Sequence, residues 1–64
     1  MLTKNSTIET AVNTADNMYQ LLDLMYTHFK SMDDDQKESL VGLCYELSCQ
    51  ISTWMNAEEK RRNG

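Results

Sequence analysis

The segment that decides the fold is 30-KSMDDDQKESL-40, which places three consecutive aspartates between two apolar, helix-forming regions. Asp33 is positioned to be the N-cap of a second helix, with Gln36 at the third helical position to complete a capping box. Asp34 and Asp35 then lie in the first helical turn, where the helix dipole favours each carboxylate by about 0.3–1 kcal/mol. The segment predicts a tight turn at 31–33. A specific recognition role for the three carboxylates is the alternative.

Helix 1 is predicted from about residue 7 to residue 30, because apolar side chains recur there four and three residues apart without interruption. Ser6 and Glu9 have the spacing of an N-terminal capping box. Ala11, Met18 and Met25 lie beside the repeat and widen it. The repeat is typical of a helix that packs along one seam, and it consists of Ile8, Val12, Ala15, Tyr19, Leu22, Tyr26 and Phe29.

Helix 2 is predicted from about residue 34 to residue 58, because a second apolar seam has the same spacing. The basic tail at 59–64 is expected to fray, although its positive charge suits the C-terminal end of a helix dipole. Val41, Leu43 and Met55 flank the seam, which consists of Leu40, Cys44, Leu47, Ile51 and Trp54.

The short connection predicts an all-α fold, an antiparallel two-helix hairpin that forms one domain over residues 1–64. Stacking the two seams about the turn places Ala15 against Trp54 and Tyr26 against Cys44. Each of these pairs joins a small side chain to a large one, which favours close packing.

A two-helix hairpin leaves part of such wide apolar stripes exposed to water, here Met18, Met25, Leu43 and Met55. An exposed apolar patch marks an interface, and a symmetric homodimer that forms a four-helix bundle is the simplest way to cover it. A complex with a different protein is the main rival, and a monomer is the third alternative. The predicted dimer core comprises Ile8, Val12, Ala15, Met18, Tyr19, Leu22, Met25, Tyr26, Phe29, Leu40, Leu43, Cys44, Leu47, Ile51, Trp54 and Met55.

A second set of side chains is predicted on the outside of the hairpin, where a protein partner can bind. Gly42 lies among them in helix 2, where glycine costs about 1 kcal/mol relative to alanine and lets another helix approach closely. The alternative is that these are isolated exposed side chains, which are normal on protein surfaces. The candidate partner surface comprises Leu21, Leu24, Tyr45, Cys49, Asp33, Asp34 and Asp35.

Composition argues against nucleic-acid and membrane partners. The 64 residues include ten acidic and six basic side chains, and the formal net charge of -4 is repelled by phosphate backbones. The N-terminal region lacks the apolar run of a signal peptide, and no segment approaches the roughly 20 apolar residues of a membrane span. A cytoplasmic protein is therefore expected. Cys44 and Cys49 fit neither a bridge within one helix nor zinc-ligand spacing.

The sequence offers little for catalysis. His28 is the only histidine. A nucleophilic pair with Cys44 or Cys49 is the one catalytic alternative, although helical periodicity puts Cys44 on a different face from His28. The aspartates of the turn lack the alternating ligands and the glycine of a calcium-binding EF-hand loop. The expectation is a protein that is not an enzyme and has no catalytic residue, cofactor or metal.

The acidic corner 32-MDDDQ-36, between a long first helix and a second heptad helix, resembles the Rop family of plasmid regulators. The resemblance covers nearly the whole chain, and it implies a dimeric four-helix bundle that binds paired RNA loops. In that family the RNA-binding surface is a basic and aromatic stripe on helix 1. Here the outward positions of helix 1 carry Glu9, Asp16 and Asp23. The hairpin also resembles small uncharacterised helical domains of pseudomonads and their phages.

These features favour a small non-enzymatic regulator or adaptor of a bacterial or phage system that acts by protein–protein contact. The alternative is an acidic inhibitor that mimics nucleic acid and blocks a DNA- or RNA-binding protein. Rop-like RNA binding is the third hypothesis, and it would require a strongly salt-dependent affinity.

Overall fold

The computed structural model describes residues 2–64, which form two α-helices joined by a single 3-10 turn. Helix α1 spans Ile8–His28, the 3-10 turn spans Phe29–Ser31, and helix α2 spans Asp34–Asn63. The helices pack against each other as a helical hairpin with extents of 48 × 17 × 16 Å. The described residues contain no strand, so the all-α prediction is confirmed.

The acidic corner caps α2 as the sequence predicts. The Asp33 carboxylate accepts a hydrogen bond from the Gln36 amide at 2.8 Å, and the Gln36 side chain accepts one from the Asp33 amide at 3.1 Å. Asp34 and Asp35 occupy the first turn of α2. Across the turn, the Lys37 ammonium lies 4.4 Å from the centre of the Phe29 ring, which is within cation–π distance. These contacts join the two helices at the turn.

The start of α1 differs from the prediction, because Thr7 and not Ser6 is the N-cap. The Thr7 hydroxyl accepts from the Thr10 amide at 3.3 Å. The Ser6 hydroxyl accepts instead from the Thr3 amide at 2.9 Å, and the Ser6 carbonyl accepts the indole N–H of Trp54 at 2.7 Å. The predicted Ser6–Glu9 capping box is therefore wrong, since Ser6 is committed to other contacts.

Residues 2–6, which we term the N-terminal strap, hold the far end of α2. Leu2 is only 6% exposed and clusters with Ala11 and Trp54. The Leu2 amide donates to the Gln50 side-chain oxygen at 3.3 Å. The strap thus places the Leu2 side chain beside Trp54 and the Ser6 carbonyl at its indole N–H. The Leu2 amide binds Gln50, one turn before Trp54 on α2.

The basic tail is helical as far as Asn63, whereas fraying was predicted from residue 59. The Arg61 guanidinium donates to the Lys4 carbonyl of the strap at 2.8 Å and pairs with Glu58 at 2.9 Å. Arg62 pairs with the same carboxylate at 3.3 Å. These contacts extend α2 beyond its predicted end at residue 58.

The seam predicted for α2 is the one that packs against α1. Cys44 and Trp54 are buried, and Leu40, Leu47 and Ile51 are half-buried.

Apart from the half-buried Ala15, the seam predicted for helix 1 is rotated away from α2 and is exposed in the hairpin. Tyr26, expected against Cys44, is 89% exposed. Met25, expected to be exposed, is buried, and Leu21, expected on the outside, is half-buried. The α1 side chains that are buried or half-buried instead are Thr10, Ala11, Thr14, Ala15, Met18, Leu21 and Met25.

The bulk of Trp54 accounts for this rotation. Trp54 needs a small neighbour, and the predicted pairing assigned that position to Ala15. In the structure Ala11 lies in the cluster around the indole, and Leu2 closes it from the strap. Placing Ala11 there turns α1 about its axis, so that its methionines face α2 and its bulkier aromatic side chains face outward.

Replacing Asp33 by alanine removes the acceptor for the Gln36 amide. We expect the free energy of unfolding to fall by about 1 kcal/mol, as measured by urea denaturation followed by circular dichroism at fixed protein concentration. Asp33→Ser retains an N-cap acceptor and should stay closer to the parent protein than Asp33→Ala. An unchanged stability in Asp33→Ala would show that the capping box does not determine where α2 begins.

Candidate interaction surface

Helix α1 carries a continuous apolar stripe that the hairpin does not cover. Its side chains are between 46% and 89% exposed. They follow the helix over about 32 Å, given 1.5 Å per residue. Scattered exposed apolar residues are ordinary, whereas a contiguous patch marks an interaction surface. We term this surface the α1 stripe; it consists of Ile8, Val12, Tyr19, Leu22, Tyr26 and Phe29.

The α1 stripe borders a groove between the two helices. At one end Ile8 and Met18 of α1 line this groove together with Ile51 and Met55 of α2. Towards the turn, Leu22, Met25, Tyr26 and Phe29 line a second concavity. The stripe, these concavities and the exposed Met55 therefore belong to one side of the hairpin, which we term the apolar side.

Another side of the hairpin combines acidic side chains with apolar and polar ones. Near the turn, Leu24 and Leu40 line a groove whose polar residues include His28, Asp33 and Asp35. Further along α2, a shallower groove is lined by Asp35, Glu38, Ser39, Gly42, Leu43 and Glu46. We term this the acidic side. Its apolar side chains are fewer than those of the apolar side.

Charge is separated along the length of the hairpin. Residues 20–49, the half that contains the turn, carry six acidic and two basic side chains and hence the whole net charge of -4. The remaining residues carry four of each sign. Within residues 2–64, the ion pairs are those of Glu58 with Arg61 and Arg62, in the terminal half. The carboxylates of the turn half therefore have no ion-pair partner.

The predicted partner surface does not form a single patch. Leu21 is half-buried against α2. Leu24 shares a groove with Asp33 and Asp35, whereas Asp34 lies in the first turn of α2 and does not line that groove. Tyr45 and Cys49 are exposed on α2.

Sequence analysis missed the N-terminal strap. Leu2 is followed by five polar residues, so periodicity gives no signal for its burial. A usable signal was the single tryptophan, because a buried indole N–H normally requires a hydrogen-bond acceptor. In the structure, the acceptor of Trp54 is the Ser6 carbonyl near the beginning of the chain.

The side chains with catalytic or metal-binding chemistry are dispersed. His28 and Cys49 are exposed and Cys44 is buried, with both thiols unbridged. Over the described range 2–64, no group of three or more His, Cys, Asp or Glu side chains is placed to hold a metal ion. Neither helix, over the same range, is long and apolar enough to cross a bilayer.

Replacing Gly42 by alanine tests whether the acidic side is open to solvent. Apart from its chain neighbours and the backbone of its own helical turns, a β-carbon at this position would meet no atom within 4 Å. We expect the free energy of unfolding to rise by about 0.5–1 kcal/mol, because alanine restricts the unfolded chain and favours helix. Urea denaturation measures the change. A fall in stability together with a change in solution mass would show that a second helix packs on Gly42.

The resemblance to the Rop family rests on the two-helix architecture alone. Comparison of the chain with models of protein families, with curated proteins and with solved structures finds no match. A function for the hairpin therefore has to follow from its own contacts and exposed surfaces.

Proposed function

We propose that this protein is a small non-enzymatic regulator or adaptor that acts by protein–protein contact, after its antiparallel hairpin pairs with a second copy into a four-helix bundle. The observation that carries the proposal is the α1 stripe, a seam with coiled-coil spacing whose side chains stay largely exposed within residues 2–64, with Lys37 lying over one end of it at Phe29.

The antiparallel direction is supported by contacts at both ends of the hairpin. At one end, the strap residues Leu2 and Ser6 bind Gln50 and Trp54 of α2. At the other end, Lys37 covers the Phe29 ring. Contacts in this order favour helices that run in opposite directions.

The surface area of the hairpin is large for its mass. A compact monomer of 7.4 kDa is expected to expose about 4,200 Å², whereas this chain exposes 5171 Å². The excess of roughly 1,000 Å² is close to the area of about 800 Å² that each partner buries in a standard interface. Packing the α1 stripe of two copies together removes surface of this order.

The interior of the single hairpin is small, which also favours association. No side chain of the described residues is less than 2% exposed, and the buried apolar residues are few. Chains of this length rarely obtain more than roughly 3–5 kcal/mol from one core unless a partner, a metal or a bridge adds to it. Here both cysteines are unbridged, and the proposed second copy would add to the small core.

The acidic side stays accessible after self-pairing on the apolar side. Its groove near the turn combines the apolar Leu24 and Leu40 with Asp33 and Asp35. We assign the adaptor role to this side, which suits a partner protein with apolar and basic side chains. The exposed thiol of Cys49 suits a reducing compartment such as the cytoplasm.

Nucleic-acid mimicry receives less support, because the acidic residues are too sparse. Five carboxylates lie along α2 between Asp33 and Glu46, which is about 20 Å of helix and therefore about one charge per 4 Å. Duplex DNA carries one charge per roughly 1.7 Å. Rop-like RNA binding is further disfavoured, because Glu9, Asp16 and Asp23 of α1 would repel phosphates.

Two matched substitutions test the proposal. Leu22 in the α1 stripe and Leu24 outside it are the same residue type on the same helix and are 47% and 53% exposed. We expect Leu22→Asp to weaken self-association at least tenfold, because a carboxylate would be buried in the interface. Leu24→Asp should leave it nearly unchanged. Sedimentation velocity over a range of protein concentrations measures both.

Thermal stability of the parent protein should also rise with concentration, as mass action requires of a self-associating protein. A parent protein that keeps the mass of one chain at all concentrations would refute the self-paired bundle. Equal effects of the two aspartate variants would show that the α1 stripe is not the interface.

A further inference from the structure

We infer that the two copies pair in an inverted arrangement, with each α1 packed antiparallel on the partner's α1 and the two-fold axis crossing the helices at the level of Tyr19. The inference rests on the proposed self-pairing and specifies its geometry. It follows from the position of the α1 stripe, from the order of its side chains and from the separation of charge.

The position of the stripe decides which helix covers it. At 100° per residue, the stripe lies about a quarter of a turn from the α1 face that packs on α2. In a four-helix bundle each helix contacts two neighbours at about this angle, so the second neighbour of α1 lies on the stripe. The corresponding edge of α2 contains Ser48 and Ser52 beside Met55. A second α1 therefore offers the stripe a more apolar partner than α2 does.

The order of side chains along the stripe makes it complementary in size to an inverted copy of itself. When α1 is inverted about Tyr19, the small side chains at one end lie against the large ones at the other, which favours close packing. A parallel pairing would instead stack Tyr26 on Tyr26 and leave space between two copies of Ala15. The inverted pairs are Ile8 with the partner's Phe29, Val12 with the partner's Tyr26, Ala15 with the partner's Leu22, and Tyr19 with the partner's Tyr19.

Charge favours inversion over the parallel arrangement. Inversion places the turn half of one chain, with its net charge of -4, beside the terminal half of the other, where Lys60, Arg61 and Arg62 lie. A parallel pairing would bring the two acidic turns together, which costs free energy. Inversion has one opposing contact, because Asp16 would face the partner's Asp23.

Distances between spin labels on the two copies test the arrangement. The host protein carries Cys49→Ser and keeps the buried Cys44, so that a nitroxide reacts at one introduced cysteine. Ser31→Cys places the label beside the turn, and Gln20→Cys places it near the axis; both positions are exposed. Pulsed electron resonance on each full-length dimer gives the distance between its two labels, and circular dichroism checks that each variant is helical.

The inverted pairing predicts a separation of about 36 Å along the helix axis at residue 31, which lies twelve residues from the axis at 1.5 Å per residue. The labels at residue 20 should be within about 20 Å of each other. Adding Leu22→Asp should abolish both distances. A short distance at residue 31 in a protein with the mass of two chains would overturn the inverted pairing and leave self-association intact. A single-chain mass with no distance at either position would overturn both.

Discussion

Two helices share a single line of contact, so each helix of a hairpin can bury only one stripe of side chains. Helix α2 meets this constraint, because its residues with coiled-coil spacing form one seam that includes Cys44 and Trp54. Helix α1 does not, because it carries two such seams side by side. One contains Ala11, Met18 and Met25 and faces α2. The other is the α1 stripe, and its exposure leads directly to the proposed second copy.

The choice between the two seams of α1 is made around Trp54. The indole is 7% exposed and donates to the Ser6 carbonyl, so its environment is both apolar and hydrogen-bonded. The α1 side chain in its cluster is the small Ala11. The strap then closes the cluster with Leu2. A single large residue near the end of α2 thereby fixes the rotation of the whole of α1 and determines which surface is left for a partner.

The sequence was sufficient to predict features that depend on neighbouring residues. It was not sufficient to predict features that depend on contacts between distant parts of the chain. Asp33 and Gln36 are three residues apart and cap α2 by hydrogen bonds to each other, so the turn and the start of α2 were predictable. The rotation of α1 was not, because both of its seams have helical spacing and the larger side chains favoured the wrong one. Burial of Leu2 and the extension of α2 past residue 58 depend on contacts between the strap and Gln50 or Arg61. These contacts join distant parts of the chain, and no pattern of spacing reports them.

The contacts of the strap also indicate the order in which parts of the chain fold. Its hydrogen bonds to Gln50 and Trp54 join residues 48 positions apart, and the one from Arg61 to Lys4 joins residues 57 apart. The capping box joins neighbours only three apart. Because loop closure costs more entropy as the loop lengthens, the turn should form early and the strap should dock last. In the native protein the same asymmetry makes the terminal end the first to open, so amide hydrogens should exchange faster there than along the middle of the hairpin.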